Sequence, residues 1–491
     1  MILLVPVLLP LAAGLIVGLG PFKKRTIRSA FVGAATLANS AVMLWLVFNG
    51  QGMILHAQRL TENLTIVFHV DGLSRVFGGL IAVLWPLATL YAFEYMEHEE
   101  RESTFFAYYL MSYGVTAGIA LSGNLFTLYA FYELLTLVTL PLVLHKRDTA
   151  SIRAGRMYLY YSISGAALAF IGMIFVLSYG TNPSTAFVYG GVLHTAGFAG
   201  KKDLLLAVFV MSFIGFSAKA AVFPLHRWLP AVSVAPTPVT ALLHAVAVVK
   251  AGAFAIIRII YYSFGTNFLR GTWAQAVVMA LAMFTVVYGS AMAVKEQHLK
   301  RRLAWSTVSN LSYVVFGATL MTPSGLVGAL THMLFHGAMK ITLFFCAGAV
   351  MVQTGREYVQ DLRGYGRIMP FTFGVFTIAS MALVGVPPLM GFISKWNLAT
   401  AAAAAGQTEA YIGIGALIIS AILTAVYMFT VVVTALFMPV NASSAALTNQ
   451  NYDPGWRMKL PLALLAAAIV VMGICSVPLV RFFTIVAAGL Y

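Results

Sequence analysis

Eight lysine and histidine side chains lie inside long apolar stretches of this sequence, where charged groups are rare. They are Lys219, Lys250, Lys340, Lys395, His226, His244, His332 and His336. A lysine at mid-membrane depth costs roughly 2.5 to 3.5 kcal/mol on insertion scales, a cost that is usually tolerated for function. These residues are therefore the first candidates for chemistry.

Glu133 is the carboxylate that lies squarely within an apolar stretch, NLFTLYAFYELLTLVTLPLVLH, and the candidate acidic partner for a buried lysine. Burial favours the neutral form of a lysine, whereas a nearby carboxylate favours the charged form. A change in the distance between the two groups would therefore switch the lysine between holding and releasing a proton. Histidine titrates near neutral pH and can pass protons between lysines through ordered water. The residue types predict a proton relay across the middle of the protein.

Simpler interpretations of single residues stay open. A lone histidine inside a membrane is often a packing residue, and Lys250 or Lys340 would reach the interface if the span limits shifted. His332, His336 and Lys340 are spaced i, i+4 and i+8 and therefore share one helix face. Two histidines at this spacing would suit a metal ion, but no third ligand is evident, and we predict no metal site.

Prolines accompany two of the lysines. They are Pro224 and Pro230 after Lys219, and Pro387 and Pro388 before Lys395. Because proline removes a backbone donor and opens the helical ladder, both places predict a broken or kinked membrane helix. Broken helices at membrane depth generally line cavities through which ions or substrates pass.

The composition places all these residues in a membrane protein. The chain has 491 residues, of which 60% are hydrophobic and 9% charged. Apolar runs of about 20 residues, the length of a membrane-spanning helix, recur throughout. The predicted spans are 2–20, 29–49, 73–95, 104–122, 124–146, 156–179, 203–229, 234–262, 272–294, 301–321, 323–353, 369–401, 408–439 and 459–485.

Most basic loop residues follow odd-numbered spans, and the positive-inside rule places those loops in the cytoplasm and both termini on the outer side. We expect a multi-pass protein of a prokaryotic inner (plasma) membrane. The net charge is +15, but the basic residues are not gathered on one helix face. Their distribution therefore excludes a nucleic-acid partner. Cys346 and Cys475 stand in apolar runs without a CxxC motif, which argues against iron–sulfur, zinc and disulfide sites.

The pattern G-F-x-x-K occurs at 215–219 and again at 391–395, each time close to a proline break. The two copies lie five predicted spans apart. Because five is odd, the two units would have opposite orientations in the membrane, and we interpret them as parts of an inverted repeat.

The stretch FSAKAAVFPLHRWLPAVSVAPTPVTALLHAVAVVKAG closely resembles the signature of the proton-conducting antiporter-like subunits. These subunits occur in respiratory complex I (its L, M and N subunits), in Mrp-type sodium/proton antiporters, and in membrane-bound hydrogenases or formate hydrogenlyases. The likeness extends over most of the chain and includes YELLTLVTLPLV, THMLFHGAMKITLFFCAG and LVGVPPLMGFISKW.

The resemblance implies an all-α polytopic membrane fold with about 14 transmembrane helices, two inverted five-helix repeats and broken helices 7 and 12. The chain would be a single transmembrane domain, 1–491, with a first half-channel at 104–262 and a second at 272–439. The implied relay begins with Glu133 and Lys219 in the first half-channel and continues through Lys250 as the bridge. His332, His336 and Lys340 are the link, and Lys395 is the outer lysine of the second half-channel. His226 and His244 are supporting residues.

The function implied by the resemblance is translocation of protons, or of sodium ions, in an energy-converting redox complex of complex I-like or hydrogenase type. A D-type subunit of an Mrp sodium/proton antiporter without redox chemistry is the alternative. A structural subunit that no longer conducts is a third class, which the intact set of buried charges disfavours. Lys395 replaces a glutamate of the M subunit, and the chain ends without the lateral helix of the L subunit, so it looks more like an N-type, Mrp D-type or hydrogenase-associated subunit.

No site for flavin, iron–sulfur clusters or quinone is visible in the chain, so we expect no cofactor in it. Iron–sulfur, flavin or nickel–iron centres would belong to partner subunits, and an oxidoreductase activity would belong to the whole complex. The expected partners are other membrane subunits, including further antiporter-like ones, peripheral redox subunits and the lipid bilayer.

Overall fold

The computed structural model describes residues 1–20, 22, 24–61, 64–181, 186–193, 200–440 and 451–490. In these ranges the chain is mostly helical, and ten helices are long and apolar enough to cross a membrane. The predicted class, a helical multi-pass membrane protein, is confirmed. The count of fourteen spans and the inverted repeats stay predictions. Residues 182–185 and 194–199 of the predicted first half-channel lie outside the described ranges.

The helices follow the predicted spans closely. Helices α1 to α10 are Val5–Leu19, Arg25–Asn49, Gly72–Tyr95, Glu102–Ala120, Leu125–Val143, Thr149–Tyr179, Lys202–Ser217, Trp228–Ala231, Thr237–Ala245 and Val248–Arg258. Helices α11 to α20 are Thr266–Leu269, Trp273–Lys295, Leu299–Thr319, Pro323–Thr354, Tyr365–Ile368, Pro370–Val384, Met390–Ala405, Thr408–Leu436, Trp456–Ile474 and Val477–Ala487. A π-helical turn, Ile259–Phe264, continues α10.

One element was not predicted. Strands β1, Ile54–Arg59, and β2, Thr65–His69, form an antiparallel hairpin in the loop between α2 and α3. The hairpin leads directly into Asp71, whose carboxylate accepts a hydrogen bond from the backbone N–H of Ser74 and thereby caps α3. A cap of this kind satisfies one of the unpaired N–H groups at a helix start.

Helix α14 is the long buried helix around which the predicted link residues are arranged. Thr322 caps it by accepting a hydrogen bond from the N–H of Gly325, and Pro323 occupies its first position, where proline is well tolerated. The helix runs for 32 residues and contacts α3, α9, α10, α13, α16, α17, α19 and α20. Its two histidines and its lysine are fully buried. The helix therefore presents these three side chains to other helices.

The helix that carries the first G-F-x-x-K pattern stops at Ser217, and α8 starts only at Trp228. Lys219 therefore lies in the interruption. The sequence had suggested a position in the middle of a helix, and that prediction was wrong. Pro224 lies within this interruption and Pro230 lies inside α8. Because the proline ring clashes with the carbonyl group four residues earlier, here that of Ala220, the helix has to end before the proline is reached.

Side chains pair with backbone groups near this interruption. The Tyr132 hydroxyl donates to the carbonyl of Phe216, 2.9 Å away, and the Trp228 indole N–H donates to the carbonyl of Ala218, 2.7 Å away. Inside a membrane, irregular backbone is stable only when the surrounding protein satisfies its polar groups. These hydrogen bonds therefore stabilise the interruption.

The second G-F-x-x-K pattern begins just after another interruption. Helix α16 ends at Val384, α17 starts at Met390, and Pro387 and Pro388 lie between them. Gly385 has a φ of 99°, a left-handed conformation that glycine adopts without strain. The chain therefore turns directly after α16.

Two further interruptions correct the predicted spans. The predicted span 234–262 is divided at Val246 and Ala247, and the span 459–485 is divided at Cys475 and Ser476. The second division has a signal in the sequence, because a proline stands at the second position of α20. The first has none of that kind, since valine and alanine differ only modestly in helix propensity. It places Lys250 in the first turn of α10.

Candidate functional site

Lys250 on α10 and His336 on α14 form a buried contact between the two predicted half-channels. The Nζ atom of the lysine lies 2.5 Å from Nδ1 of the imidazole. Both residues are fully buried. The ammonium group donates this hydrogen bond when the imidazole is neutral, and both partners titrate. The pair is therefore a direct hydrogen-bonded contact between two titratable groups.

His332 extends the contact along α14. Its ring stacks on that of His336 with 5.8 Å between centroids and 17° between planes. Its Nδ1 atom lies 2.9 Å from the hydroxyl oxygen of Ser394, the residue that precedes Lys395 on α17. The four residues Lys250, His336, His332 and Ser394 form a continuous buried row, which we call the central row. It leads from α10 to the position of Lys395.

Lys395 is bound at the break between α16 and α17. Its Nζ atom donates to the carbonyl groups of Leu383 and Val384, at 2.8 Å each. These carbonyls belong to the last turn of α16, where the helix dipole favours a cation. The ring of Tyr313 lies 5.5 Å from the same Nζ and also stacks on His332, at 5.1 Å. Tyr313 therefore contacts both His332 and Lys395.

Lys340 shares the helix face of the two histidines, but its ammonium group is bound by α13. The Nζ atom donates to the carbonyl of Leu303 at 3.0 Å and contacts the hydroxyl of Ser306. His332, His336 and Lys340 all lie in one continuous helix, so their spacing places them on one face. Lys340 nevertheless forms a branch beside the central row, because no hydrogen bond of the described residues joins it to His336.

Glu133 and Lys219 form a separate ion pair, with 3.8 Å between Glu133 Oε1 and Lys219 Nζ. The lysine is fully buried, whereas 30% of the glutamate side chain is exposed. Lys219 also donates to the carbonyl of Tyr132 and lies 3.5 Å from the centre of its ring. A carboxylate, a carbonyl and an aromatic face thus surround this cation, and each of them stabilises positive charge.

The ion pair and the central row touch through the backbone. In the described part of the chain no side-chain bond joins Lys219 to Lys250. Gly252, however, packs so closely on the break that a Cβ atom there would lie 2.3 Å from the N atom of Ala220 and 2.7 Å from the carbonyl carbon of Lys219. Glycine is needed for this approach. The helix that carries Lys250 therefore rests directly on the segment that carries Lys219.

His226 and His244 are not brought into the central row. Their ring nitrogens have no hydrogen-bond partner among the described residues. His226 lies among aromatic rings, with centroids 5.2 to 5.7 Å away, and His244 lies 4.8 Å from the ring of Phe344. Both stay predicted supporting residues, and His244 lies within electrostatic range of Lys250, Lys300 and Lys340.

The sequence analysis missed a buried ion pair between α3 and α10. Arg258 binds both carboxylate oxygens of Asp71, one of them at 2.8 Å, and its Nη2 lies 3.2 Å from the hydroxyl of Ser74. Three aromatic rings, those of Phe187, Phe254 and Tyr262, lie 4.7 to 5.0 Å from the guanidinium. Arg258 stands in the apolar run AFAIIRIIYY, so the argument applied to the lysines would have found it.

The two histidines of α14 have no further metal-ligating side chains beside them among the described residues. Within the part of the chain that the structure describes, no group of three histidine, cysteine, aspartate or glutamate side chains is placed to hold a metal ion. The Nδ1 atoms of His336 and His332 are engaged by Lys250 and Ser394. The central row therefore consists of three titratable side chains and one hydroxyl group.

Comparison with known sequences connects this site to a family. The family model described as "NADH:quinone oxidoreductase/Mrp antiporter, TM" matches residues 122–424, a range that contains every predicted relay residue. The NADH-quinone oxidoreductase subunit N of Desulforudis audaxviator is 32% identical over 98% of this chain and 95% of the relative. The A/B subunit of a probable K(+)/H(+) antiporter from Rhizobium meliloti is 33% identical over 79% of this chain, which spans 38% of that relative.

Solved structures share the fold. A chain of the Mrp complex from a Dietzia species superposes with a TM-score of 0.85 at 21% identity, covering 100% of this chain and 97% of the other. A chain of the archaeal membrane-bound sulfane sulfur reductase gives a TM-score of 0.84 at 23% identity, with 99% and 96% covered. The chain therefore belongs to the family of membrane subunits shared by NADH:quinone oxidoreductases and Mrp antiporters.

Proposed function

We propose that the chain is a proton-translocating, antiporter-like subunit of an energy-converting redox complex, of complex I-like or hydrogenase type. Protons move through its buried relay while partner subunits transfer electrons. The observation that carries the proposal is the central row, in which Lys250, His336, His332 and Ser394 are buried and follow one another toward Lys395. A set of buried titratable groups in one line serves no packing purpose that apolar side chains would not serve better.

The central row supplies the lateral step of the proposed relay. A proton on Lys250 passes to Nδ1 of His336 through their hydrogen bond. The imidazoles of His336 and His332 are stacked and not hydrogen-bonded, so the next step requires a water molecule between them. The hydroxyl of Ser394 lies 2.9 Å from His332 Nδ1 and donates to the carbonyl of Gly391 at 3.1 Å, so the step to the ammonium group of Lys395 requires a second water molecule.

Glu133 and Lys219 regulate the proposed relay from the first half-channel. At 3.8 Å the carboxylate stabilises the charged lysine. If the two separate, the buried lysine loses its counter-charge and releases its proton. We assign the half-channels to 104–262 and 272–439, with both termini on the outer side of a prokaryotic inner membrane.

Two observations bear on the type of complex. The relative named as subunit N of NADH-quinone oxidoreductase matches almost from end to end, whereas the chain spans only 38% of the relative from a K(+)/H(+) antiporter. This difference favours the redox complex, in which further antiporter-like subunits and peripheral subunits with iron–sulfur, flavin or nickel–iron centres would be the partners. A D-type Mrp subunit that exchanges sodium for protons is the second candidate, and the full-length likeness to an Mrp chain favours it.

Mass spectrometry of the subunits that co-purify with the chain from native membranes in mild detergent tests the proposal. We expect iron–sulfur, nickel–iron or flavin subunits in stoichiometric amounts. Recovery of small hydrophobic subunits without any redox subunit would contradict the redox assignment and support the Mrp candidate. Sodium-dependent proton release from vesicles containing that complex would then decide whether sodium is moved.

A further inference from the structure

Two arginines, Arg153 and Arg156, lie near the start of α6. Arg153 and Arg156 are exposed, and neither guanidinium makes a hydrogen bond or an ion pair with any residue that the structure describes. They stand three positions apart, so both charges lie on the same side of the helix, only about 5 to 6 Å apart at their Cβ atoms. Two like charges at this distance repel each other. The helix thus presents a concentrated positive charge.

An apolar stripe continues from these arginines along the same side of α6. The exposed apolar positions after Arg156 are Tyr160, Ile163, Ala167, Phe170 and Ile174, spaced by three or four residues, and Ser164 is exposed among them. Tyr160 is 68% exposed and Ile163 is 54% exposed. This spacing keeps all five side chains on one helix face. The face is charged at its end and apolar along its length.

A groove lies at the junction of the charged and apolar parts. It encloses about 690 Å³ and is lined by the two arginines together with Thr149, Ile152, Met157, Tyr160 and Tyr161. Tyrosine at such a junction is typical of the boundary between lipid headgroups and acyl chains. The groove is therefore at the depth where a headgroup would sit.

We propose that this face of α6 binds an anionic phospholipid. Its phosphate would lie between the guanidinium groups of Arg153 and Arg156, because the planar donor forks of arginine match phosphate oxygens. One leaflet is about 15 Å deep, which corresponds to about ten residues of helix. An acyl chain that starts at Arg156 therefore covers Tyr160 and Ile163 and ends near Ala167.

The pattern of charge and exposure selects a lipid over a protein partner. A protein surface would need acidic groups beside the arginines and an apolar ridge below them, whereas an anionic phospholipid carries both features in one molecule. One more basic residue, Arg147, lies in the preceding loop and adds to the positive field, whereas Lys146 beside it pairs with Glu99 at 4.0 Å. Basic clusters next to membrane helices commonly recognise anionic headgroups.

Native mass spectrometry of the delipidated full-length chain tests the proposal. The probes are dioleoylphosphatidylglycerol, which is anionic, and dioleoylphosphatidylcholine, which has the same acyl chains and no net charge. We expect tighter binding of the anionic lipid, weakened about fivefold by R153Q or by R156Q and about 30-fold by R153Q/R156Q. The matched control R59Q/R270Q, which removes two exposed arginines elsewhere, should leave the affinity unchanged.

Three results would overturn the proposal. They are equal affinities for the two lipids, an R153Q/R156Q variant that still prefers phosphatidylglycerol, and cross-linking of a cysteine placed at Tyr160 to another subunit of the native complex. If R153Q/R156Q does not elute as a single folded species, the two single variants decide the matter. Weaker binding of the anionic lipid by each of them supports the site, and unchanged affinity in both overturns it.

Discussion

The Nζ atom of Lys250 and the Nδ1 atom of His336 lie 2.5 Å apart at a fully buried position between α10 and α14. The lysine stands in the first turn of a helix that begins anew after the interruption at Val246 and Ala247. The histidine stands in the middle of an uninterrupted helix. The contact therefore joins the two predicted half-channels through two titratable groups.

Replacement of Glu133 by glutamine should abolish proton translocation while the protein still inserts into the membrane. Glutamine keeps the shape of the side chain but removes the charge that stabilises Lys219 at 3.8 Å. A positioned proton-transfer group contributes about 100-fold or more, so we expect a rate below about one tenth of the original. The rate is measured as the quenching of a pH-sensitive dye in inverted membrane vesicles. Glu409→Gln, an exposed acid at the start of α18, is the matched control, and equal rates in both variants would refute the role of the pair.

Ser394 should be required for the step between His332 and Lys395. Ser394→Ala removes the hydroxyl that lies 2.9 Å from His332 Nδ1, and the net loss of one such bond is about 0.5 to 1.5 kcal/mol. We therefore expect proton translocation to slow by about two- to tenfold, measured in the same vesicles. Ser394→Thr keeps a hydroxyl at this position and should recover most of the rate. A slow threonine variant beside a fast alanine variant would show that the hydroxyl plays no part.

The ion pair between Asp71 and Arg258 should stabilise the fold far more than a surface pair. Arg258→Gln leaves a buried carboxylate without its partner, which typically costs about 3 to 5 kcal/mol. The control is Arg457→Gln, because Arg457 pairs with Glu97 at 3.1 Å but is 43% exposed, and such pairs contribute about 0 to 1 kcal/mol. Thermal unfolding in detergent, followed by tryptophan fluorescence, compares the two. Equal melting temperatures would show that the buried pair is not a major contribution.

Gly252 should not tolerate a side chain. A Cβ atom at this position would lie 2.3 Å from the backbone nitrogen of Ala220, so Gly252→Ala pushes α10 away from the segment that carries Lys219. Overpacking of this kind typically costs about 1 to 3 kcal/mol. We expect a lower melting temperature together with slower proton translocation. Gly374→Ala, where a Cβ atom meets nothing within 4 Å, is the control and should behave like the unmodified protein.

Much of the fold could be predicted from the sequence because a membrane leaves few choices. Every apolar run of suitable length has to be a helix, since the lipid offers no partner to exposed backbone groups. The prolines near Lys219 and Lys395 marked two interruptions because proline lacks the N–H group that continues the hydrogen bonds of a helix. The interruption at Val246 could not be predicted, because alanine and valine do not break a helix by themselves and the packing of neighbouring helices decides the outcome.

The candidate site was predictable in its residue types but not in its connections. The lysines and histidines stood out because they are costly in lipid, and the spacing of His332 and His336 placed them on one face. The contact of Lys340 with α13 and the hydrogen bond between Ser394 and His332 could not be predicted from the sequence. Both contacts depend on how separate helices pack. Serine and threonine are common in membrane helices, so their type alone does not mark a functional residue.

The most direct test of the relay is the rate of proton translocation in vesicles that contain Lys250→Met. Methionine is unbranched and apolar, so it fills the space of the lysine without a titratable group. The same change at Lys295, which is exposed at the end of α12, is the control. The account predicts that Lys250→Met inserts normally and loses at least about 90% of the rate, with Lys295→Met unaffected. Full translocation by the Lys250→Met protein would contradict a relay through the central row.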